Sequence, residues 1–249
     1  MAAVENKLRA KSAFSSIPRV PSGIFGLDDM MEGGFEKGSI NIVAGESGAG
    51  KSLFSLQFLY NGAVKYNDSS LFVSFEEKSP TVKKRMARFG FDIGELEAKG
   101  KFFMYDYSPK NVNSFIKDLS EIESVVKKSS IDRLVVDSLT SFSLFFDSEN
   151  KRKQEIVSLF DSLRNMGCTV VLPSELRMIS PVLEAENTFT IEHLADSIIS
   201  IYSIRKGDIR EMALEIIKMR GTNHSRKLSP LRIIPSGMIT YPDHPFLTK

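Results

Sequence analysis

The octapeptide Gly45-Glu46-Ser47-Gly48-Ala49-Gly50-Lys51-Ser52 fits G-x-x-x-x-G-K-[ST], and it constrains the fold more than any other segment. The pattern has physical meaning only between a strand and a helix. Its glycines let the backbone curl so that successive N–H groups point inward at phosphate oxygens. The lysine then meets the β- and γ-phosphates as a point charge. Ser52 can ligate Mg²⁺ through its hydroxyl, and the helix that follows offers the positive end of its dipole. Both flanks are present. Ser39 to Ala44 reads SINIVA, a short apolar strand, and Lys51 to Tyr66 carries Leu53, Leu56, Leu59 and Ala63 at helical spacing. The eight residues are expected to hold ATP with its Mg²⁺; the competing reading is a plain glycine turn.

The rest of the chain alternates in the same way. Strand-like runs recur at Ser70 to Phe75, Lys101 to Tyr107, Arg133 to Asp137 and Cys168 to Pro173. Helical patterns separate them at Pro80 to Phe89, Asn113 to Lys128 and Lys151 to Met166. LVVD and TVVLP are apolar without alternation, which suits strands covered on both faces of a parallel sheet. From Ala195 the style changes. Ser197 to Ile204, Met212 to Met219, Leu231 to Ile234 and Met238 to Tyr241 follow one another across turns, as antiparallel strands extending one sheet edge would. The expected fold is therefore α/β: a central, mostly parallel sheet with helices on both faces and C-terminal antiparallel edge strands. Residues 1–16 read as a flexible arm and 17–249 as one domain.

Composition excludes several classes. Apolar residues make up 42% and charged residues 26%, the balance of a water-soluble domain, and no apolar run reaches the ~18 residues of a membrane span. Met1 to Ser16 lacks the apolar core of a secretory signal. The lone cysteine, Cys168, can form no internal disulfide, so a reducing cytoplasm is expected. The net charge of +2 argues against coating nucleic acid by bulk electrostatics. That charge is uneven, because residues 201–249 hold nine Lys plus Arg against four Asp plus Glu.

Carboxylates placed at strand ends turn binding into chemistry. Asp137 ends LVVD, where a carboxylate would hold Mg²⁺ or its waters beside the phosphate loop; otherwise it caps the next helix. Glu76 and Glu77 end the Ser70 run. They read either as a pair that orients and polarises a water for in-line attack or as a solvated strand end. Ser174-Glu175 is a further candidate for sensing the γ-phosphate.

Several of these segments together resemble the KaiC-like branch of the RecA-superfamily ATPases. They are Phe72-Val73-Ser74-Phe75-Glu76-Glu77 with Arg88-Phe89-Gly90-Phe91-Asp92, Arg133 to Leu139, and Lys218-Met219-Arg220-Gly221-Thr222-Asn223-His224. Gly23-Ile24-Phe25-Gly26-Leu27-Asp28 with Gly33-Gly34 adds to them. The resemblance covers roughly residues 17 to 242. It implies a RecA-like P-loop domain that self-associates into a ring, hexameric in the family's usual form, with ATP between neighbours. Glu76 and Glu77 would be the water-activating pair, with Lys51, Ser52 and Asp137 completing the site in the same subunit. Lys218 and Arg220 would reach the γ-phosphate held by the next subunit, and His224 and Arg226 match positions near that nucleotide. The bland alternative makes Lys218 and Arg220 solvated residues on one strand face. Where the circadian proteins carry Ser and Thr phosphorylation sites, before Ala195-Asp196-Ser197, this chain has Glu192 and His193. Autophosphorylation by that route is not expected.

Three functions compete. The first is a regulatory or assembly ATPase with an unidentified protein partner. The second is a single-stranded-DNA-binding ATPase like the archaeal RadA paralogues. Its loops would be Ser141 to Asn150, with Phe145, Phe146 and Lys151-Arg152-Lys153, and Arg177 to Phe189, where Glu184 and Glu186 repel phosphate. The third is a motility accessory ATPase of the archaellum type. The basic face Lys83-Lys84-Arg85 with Arg88 reads as solvated.

Overall fold

The structure is a computed structural model that describes residues 17–107, 112–175, 193–244 and 246. The arm 1–16 and the loop with Arg177, Glu184, Glu186 and Glu192 lie outside the described residues. An antiparallel pair, β1 (Arg19–Val20) and β2 (Phe35–Glu36), precedes the main sheet. That sheet contains β3 (Ile40–Gly45), β4 (Ser70–Ser74), β5 (Phe102–Asp106), β6 (Arg133–Asp137) and β7 (Thr169–Ser174). It continues through β8 (Ser197–Lys206), β9 (Ile209–Met219), β10 (Ser229–Ile234) and β11 (Gly237–Thr240). Its order is β11-β10-β9-β8-β3-β7-β6-β4-β5. The strands from β8 to β5 run parallel, and β8 to β11 are joined antiparallel, as the sequence pattern requires.

The helices are α1 (Lys51–Tyr66), α2 (Ser79–Met86), α3 (Ile93–Ala98), α4 (Val112–Lys128), α5 (Leu139–Ser143) and α6 (Glu149–Met166). Alternation along the strands divides the core into two layers. Val43, Phe72, Val135, Val171 and Ile199 face Phe54 and Phe58 of α1. Ile42, Leu71, Leu134, Val136 and Leu172 face Phe115 and Ile122 of α4 and Leu159 and Phe160 of α6. Each central strand is thus buried on both sides, which explains the unbroken apolar runs.

Two helices depart from the sequence expectation. The short helices α3 and α5 hold too few residues to show a helical period. Each is started by a side-chain cap, Asp92 accepting from the Glu95 N–H and Ser138 from the Ser141 N–H.

One buried cation fixes the layers relative to one another. Arg133, at the start of β6, is fully buried. Its Nε pairs with Asp68 at 2.7 Å, and Nη1 donates to the carbonyls of Pro21 at 2.7 Å and Phe58 at 3.1 Å. The guanidinium carbon lies 4.6 Å from the Phe58 ring centre. Burial lowers the Arg133 pKa, and the Asp68 contact works against that shift. Gly62 makes room for it, since a Cβ there would lie 2.3 Å from Arg133 Nε.

Candidate nucleotide-binding site

Strand β3 carries Gly45 beside Ile201 of β8, so close that a Cβ would stand 2.7 Å from the Ile201 carbonyl oxygen. The loop then turns through Gly48 (φ +80°) and Gly50 (φ +89°), backbone conformations that favour glycine. The first α-helical bond follows at once, from Phe54 N–H to the Gly50 carbonyl at 2.9 Å. Lys51 is buried, yet its ammonium does not extend into solvent. It donates to the carbonyls of Gly45 and Glu46, each at 2.9 Å, and lies 3.8 Å from a Glu175 carboxylate oxygen. The cation is folded over the loop it serves.

Asp137 arrives at the end of β6 with the Ser52 side chain near enough to favour its charged form. Burial pushes its carboxyl up to about 6, and the charge of Glu76 adds to the rise. The Ser52 side chain and the Lys51 ammonium pull the other way, while Glu77 pushes up again. A hydroxyl and a carboxylate facing the same point form the hard oxygen donor set that suits Mg²⁺.

Register brings in the glutamates. Ser74 of β4 pairs with Asp137, and the Phe75 N–H donates to the Asp137 carbonyl at 2.7 Å. Glu76 and Glu77 therefore leave the sheet one strand away from Asp137, with both N–H groups on the Ser74 hydroxyl, at 3.3 and 3.0 Å. Glu76 Oε1 accepts from the hydroxyls of Ser138 at 2.6 Å and Ser141 at 2.7 Å. Glu77 instead pairs with Arg85 of α2. Thr140 completes the floor, its hydroxyl accepting from the Glu175 N–H at 2.7 Å. The sequence reading missed Arg85, Ser138, Thr140 and Ser141. For the three hydroxyls the signal was their run immediately after the strand-end Asp137.

Four residues do not join this cluster. Lys218 pairs with Ile198, which is level with Ile42, whereas Gly45 is level with Ile201. Three residues of strand separate the two levels, about 10 Å at a strand's rise per residue. Lys218 Nζ points further from the loop still, donating to the Ala195 carbonyl at 2.8 Å. Arg220, one residue beyond β9, donates to the His193 carbonyl at 2.7 Å and lies 3.4 Å from Asp196, which also holds Arg164 at 3.2 Å. His224 and the exposed Arg226 occupy the connection from the end of β9 to the start of β10. The His224 Nδ1 sits 3.0 Å from the Ser225 carbonyl oxygen. Lys218 and Arg220 thus lie at the sheet end opposite the phosphate loop of their own chain, whereas the connection that carries His224 and Arg226 returns to Ser229, level with Gly45 across β9 and β8.

The other basic and aromatic candidates are largely spoken for. Phe146 is buried against Phe142, with ring centres 5.2 Å apart, and Phe145 packs on the same core. Lys153 pairs with Glu149 at 2.6 Å, and Arg152 donates to the Phe146 carbonyl at 3.1 Å. Lys83 pairs with Glu97, and the Cys168 thiol is buried and pushed up to about 12. Among the described residues no helix is long and apolar enough to cross a membrane.

A family model described as "ATPase: KaiC" matches residues 20–244. The circadian clock oscillator protein KaiC of Synechococcus elongatus is 32% identical over 241 residues, which are 93% of this chain and 46% of that protein. The chain thus spans about half the length of the KaiC relatives it matches. The UPF0273 protein MJ1359 of Methanocaldococcus jannaschii is 32% identical over 242 residues, 90% of this chain and 97% of the relative. The crystal structure of the KaiC-like protein PH0186 from Pyrococcus horikoshii OT3 superposes with a TM-score of 0.81 at 35% identity. It covers 91% of this chain and 100% of that one.

Proposed function

This chain belongs to the KaiC family of ATPases, and on that premise we propose that it hydrolyses ATP at interfaces between copies of itself. The copies form a ring, hexameric in form, that acts in the cytoplasm as a regulatory or assembly ATPase toward a protein partner. The observation that carries this reading is the separation within one chain. Gly45 to Ser52, Asp137, Glu76 and Glu77 gather at one end of the sheet. Lys218 and Arg220 lie at the other, out of reach of the same nucleotide, and His224 and Arg226 follow them in the connection from β9 to β10. A head-to-tail ring juxtaposes opposite ends of neighbouring copies and supplies the missing cations in trans.

Each residue then has a task. The loop N–H groups and Lys51 hold the β- and γ-phosphates, and the ammonium exchanges its two carbonyl partners for phosphate oxygens. Ser52 and Asp137 would hold Mg²⁺, which supplies charge neutralisation on those oxygens when bound. The glutamates orient the attacking water and accept its proton. Lys218 and Arg220 of a neighbouring copy stabilise the charge that develops on the γ-phosphoryl group. The burial of Phe146 and the pairing of Lys153 and Arg152 leave the DNA-binding alternative with little free aromatic or basic surface in the described loop.

The test is Mg²⁺-dependent phosphate release measured across protein concentration, alongside mass by light scattering. Specific activity that rises as assemblies form supports the reading. Activity independent of assembly, or absent with Mg²⁺ and ATP, opposes it.

A further inference from the structure

Arg85 belongs to a basic run whose other members behave as surface charges: Lys84 is exposed, and Lys83 pairs with Glu97 of the neighbouring helix α3. Arg85 turns the other way. Its Nη1 pairs with Oε1 of Glu77, so α2 reaches back to the strand end it has just left. The two glutamates are held by unlike partners. Glu76 is exposed, and its Oε1 already takes both hydroxyls, of Ser138 and Ser141. Glu77 is half-buried, and its second oxygen, Oε2, is buried without a hydrogen-bond partner among the described residues. An acceptor left in that state is unfavourable, so the pairing of the other oxygen with Arg85 is what keeps this carboxylate in place. Glu77 also lies close enough to Asp137 to act on its ionisation, so this oxygen belongs to the phosphate end of the sheet.

We propose that Arg85 is a positioning residue for hydrolysis. Its guanidinium holds the Glu77 carboxylate at the phosphate end of the sheet, so that on nucleotide binding this carboxylate is placed to accept the proton of the attacking water. The inference rests on the hydrolytic reading above. In the step itself, the water oxygen forms a bond to the γ-phosphorus as one of its O–H bonds breaks toward the Glu77 carboxylate. The bond between the γ-phosphorus and the bridging oxygen breaks, and its electron pair leaves on the β-phosphate of ADP. Glu76, tied to two hydroxyls, orients the water and the loop carrying Ser138. A charge-assisted pair suits this task, because it fixes direction as well as energy, and lysine replaces it poorly.

The experiment uses the full chain and three readouts: single-turnover hydrolysis at saturating ATP and Mg²⁺, affinity for a fluorescent ATP analogue, and rescue by millimolar guanidinium. Arg85→Ala is expected to lower the chemical rate about 10-fold to 100-fold, in the range of a positioned general base, with nucleotide affinity unchanged within about twofold. Arg85→Lys is expected to recover only part of the rate. Guanidinium is expected to restore activity to Arg85→Ala but not to the double variant with Glu77→Gln. In a Glu76→Gln background the Arg85→Ala loss should persist, whereas in Glu77→Gln it should vanish. An Arg85→Ala rate equal to wild type overturns the proposal. So does a rate loss that guanidinium does not restore, or one that matches a loss of nucleotide affinity. Absence of Mg²⁺-dependent hydrolysis by the wild-type protein would instead overturn the ATPase reading itself.

Discussion

Ser52, in the first turn of α1, lies close enough to Asp137, at the end of β6, to favour the charged carboxylate, across the strand β7 that lies between β3 and β6. The oxygens that would hold the metal therefore meet in the protein alone. That arrangement gathers negative charge: Asp137 is buried and shares its surroundings with Glu76 and Glu77. Lys51 is the counter-charge, and its hold on two loop carbonyls keeps it nearby. In the proposed reading, nucleotide and metal would complete a site whose charges are already assembled.

The Asp137 carboxyl has a direction of pH dependence. Its native pKa stands near 6, above the ordinary 3.8, so the folded chain binds this proton more tightly than the unfolded chain. Stability from this group is full below the ordinary value and is lost as pH rises through about 6. In metal-free and nucleotide-free buffer, Asp137→Asn should be more stable than wild type by about 1–3 kcal/mol near pH 7.5. The gain should shrink near pH 5. Urea unfolding at the two pH values measures both, and a gain that grows on acidification would contradict the assignment.

In the proposed site Lys51 meets the nucleotide phosphates, so Lys51→Ala should weaken ATP binding by at least about 100-fold, or about 2.7 kcal/mol. Displacement of a fluorescent analogue measures it. A change within threefold would make the loop a glycine turn with no phosphate role.

Gly62 faces the Arg133 guanidinium, and a Cβ there would stand 2.3 Å from Nε. Gly62→Ala should therefore destabilise by about 2–4 kcal/mol, through displacement of a buried cation that holds Asp68 and two carbonyls. Val64→Ala, on the exposed side of the same helix, should change stability by less than about 0.5 kcal/mol. Equal effects in chemical denaturation would remove Arg133 from its place in the fold.

Much of the fold was legible because periodicity and burial agree. Ile42 and Val43 face opposite layers, and the apolar runs of β6 and β7 are covered on both sides, as their composition implies. The loop was legible because its glycines, lysine and serine have one arrangement that makes sense. What escaped was set by three-dimensional partnership. Arg133 reads as an ordinary residue at a strand start, and only Asp68, Pro21 and Phe58, brought in from elsewhere, make it a buried anchor. Arg85 reads as one charge on a solvated face until α2 folds back onto Glu77. Phe145 and Phe146 read as a pair, but the turn that follows α5 sends Phe146 into the core beside Phe142.

In the proposed ring, one chain carries two halves of different active sites, with Lys218 and Arg220 held away from the phosphate loop by the register of β8 and β9. The most direct measurement mixes two inactive proteins. One carries Glu76→Gln with Glu77→Gln, and the other carries Arg220→Ala. In an equimolar mixture of freely exchanging copies, about one-quarter of the head-to-tail interfaces join intact glutamates to an intact arginine. Phosphate release should then recover to about one-quarter of the wild-type rate, from two proteins each nearly inactive alone. No recovery, in assemblies shown by labelled subunits to have exchanged, would contradict catalysis across the interface.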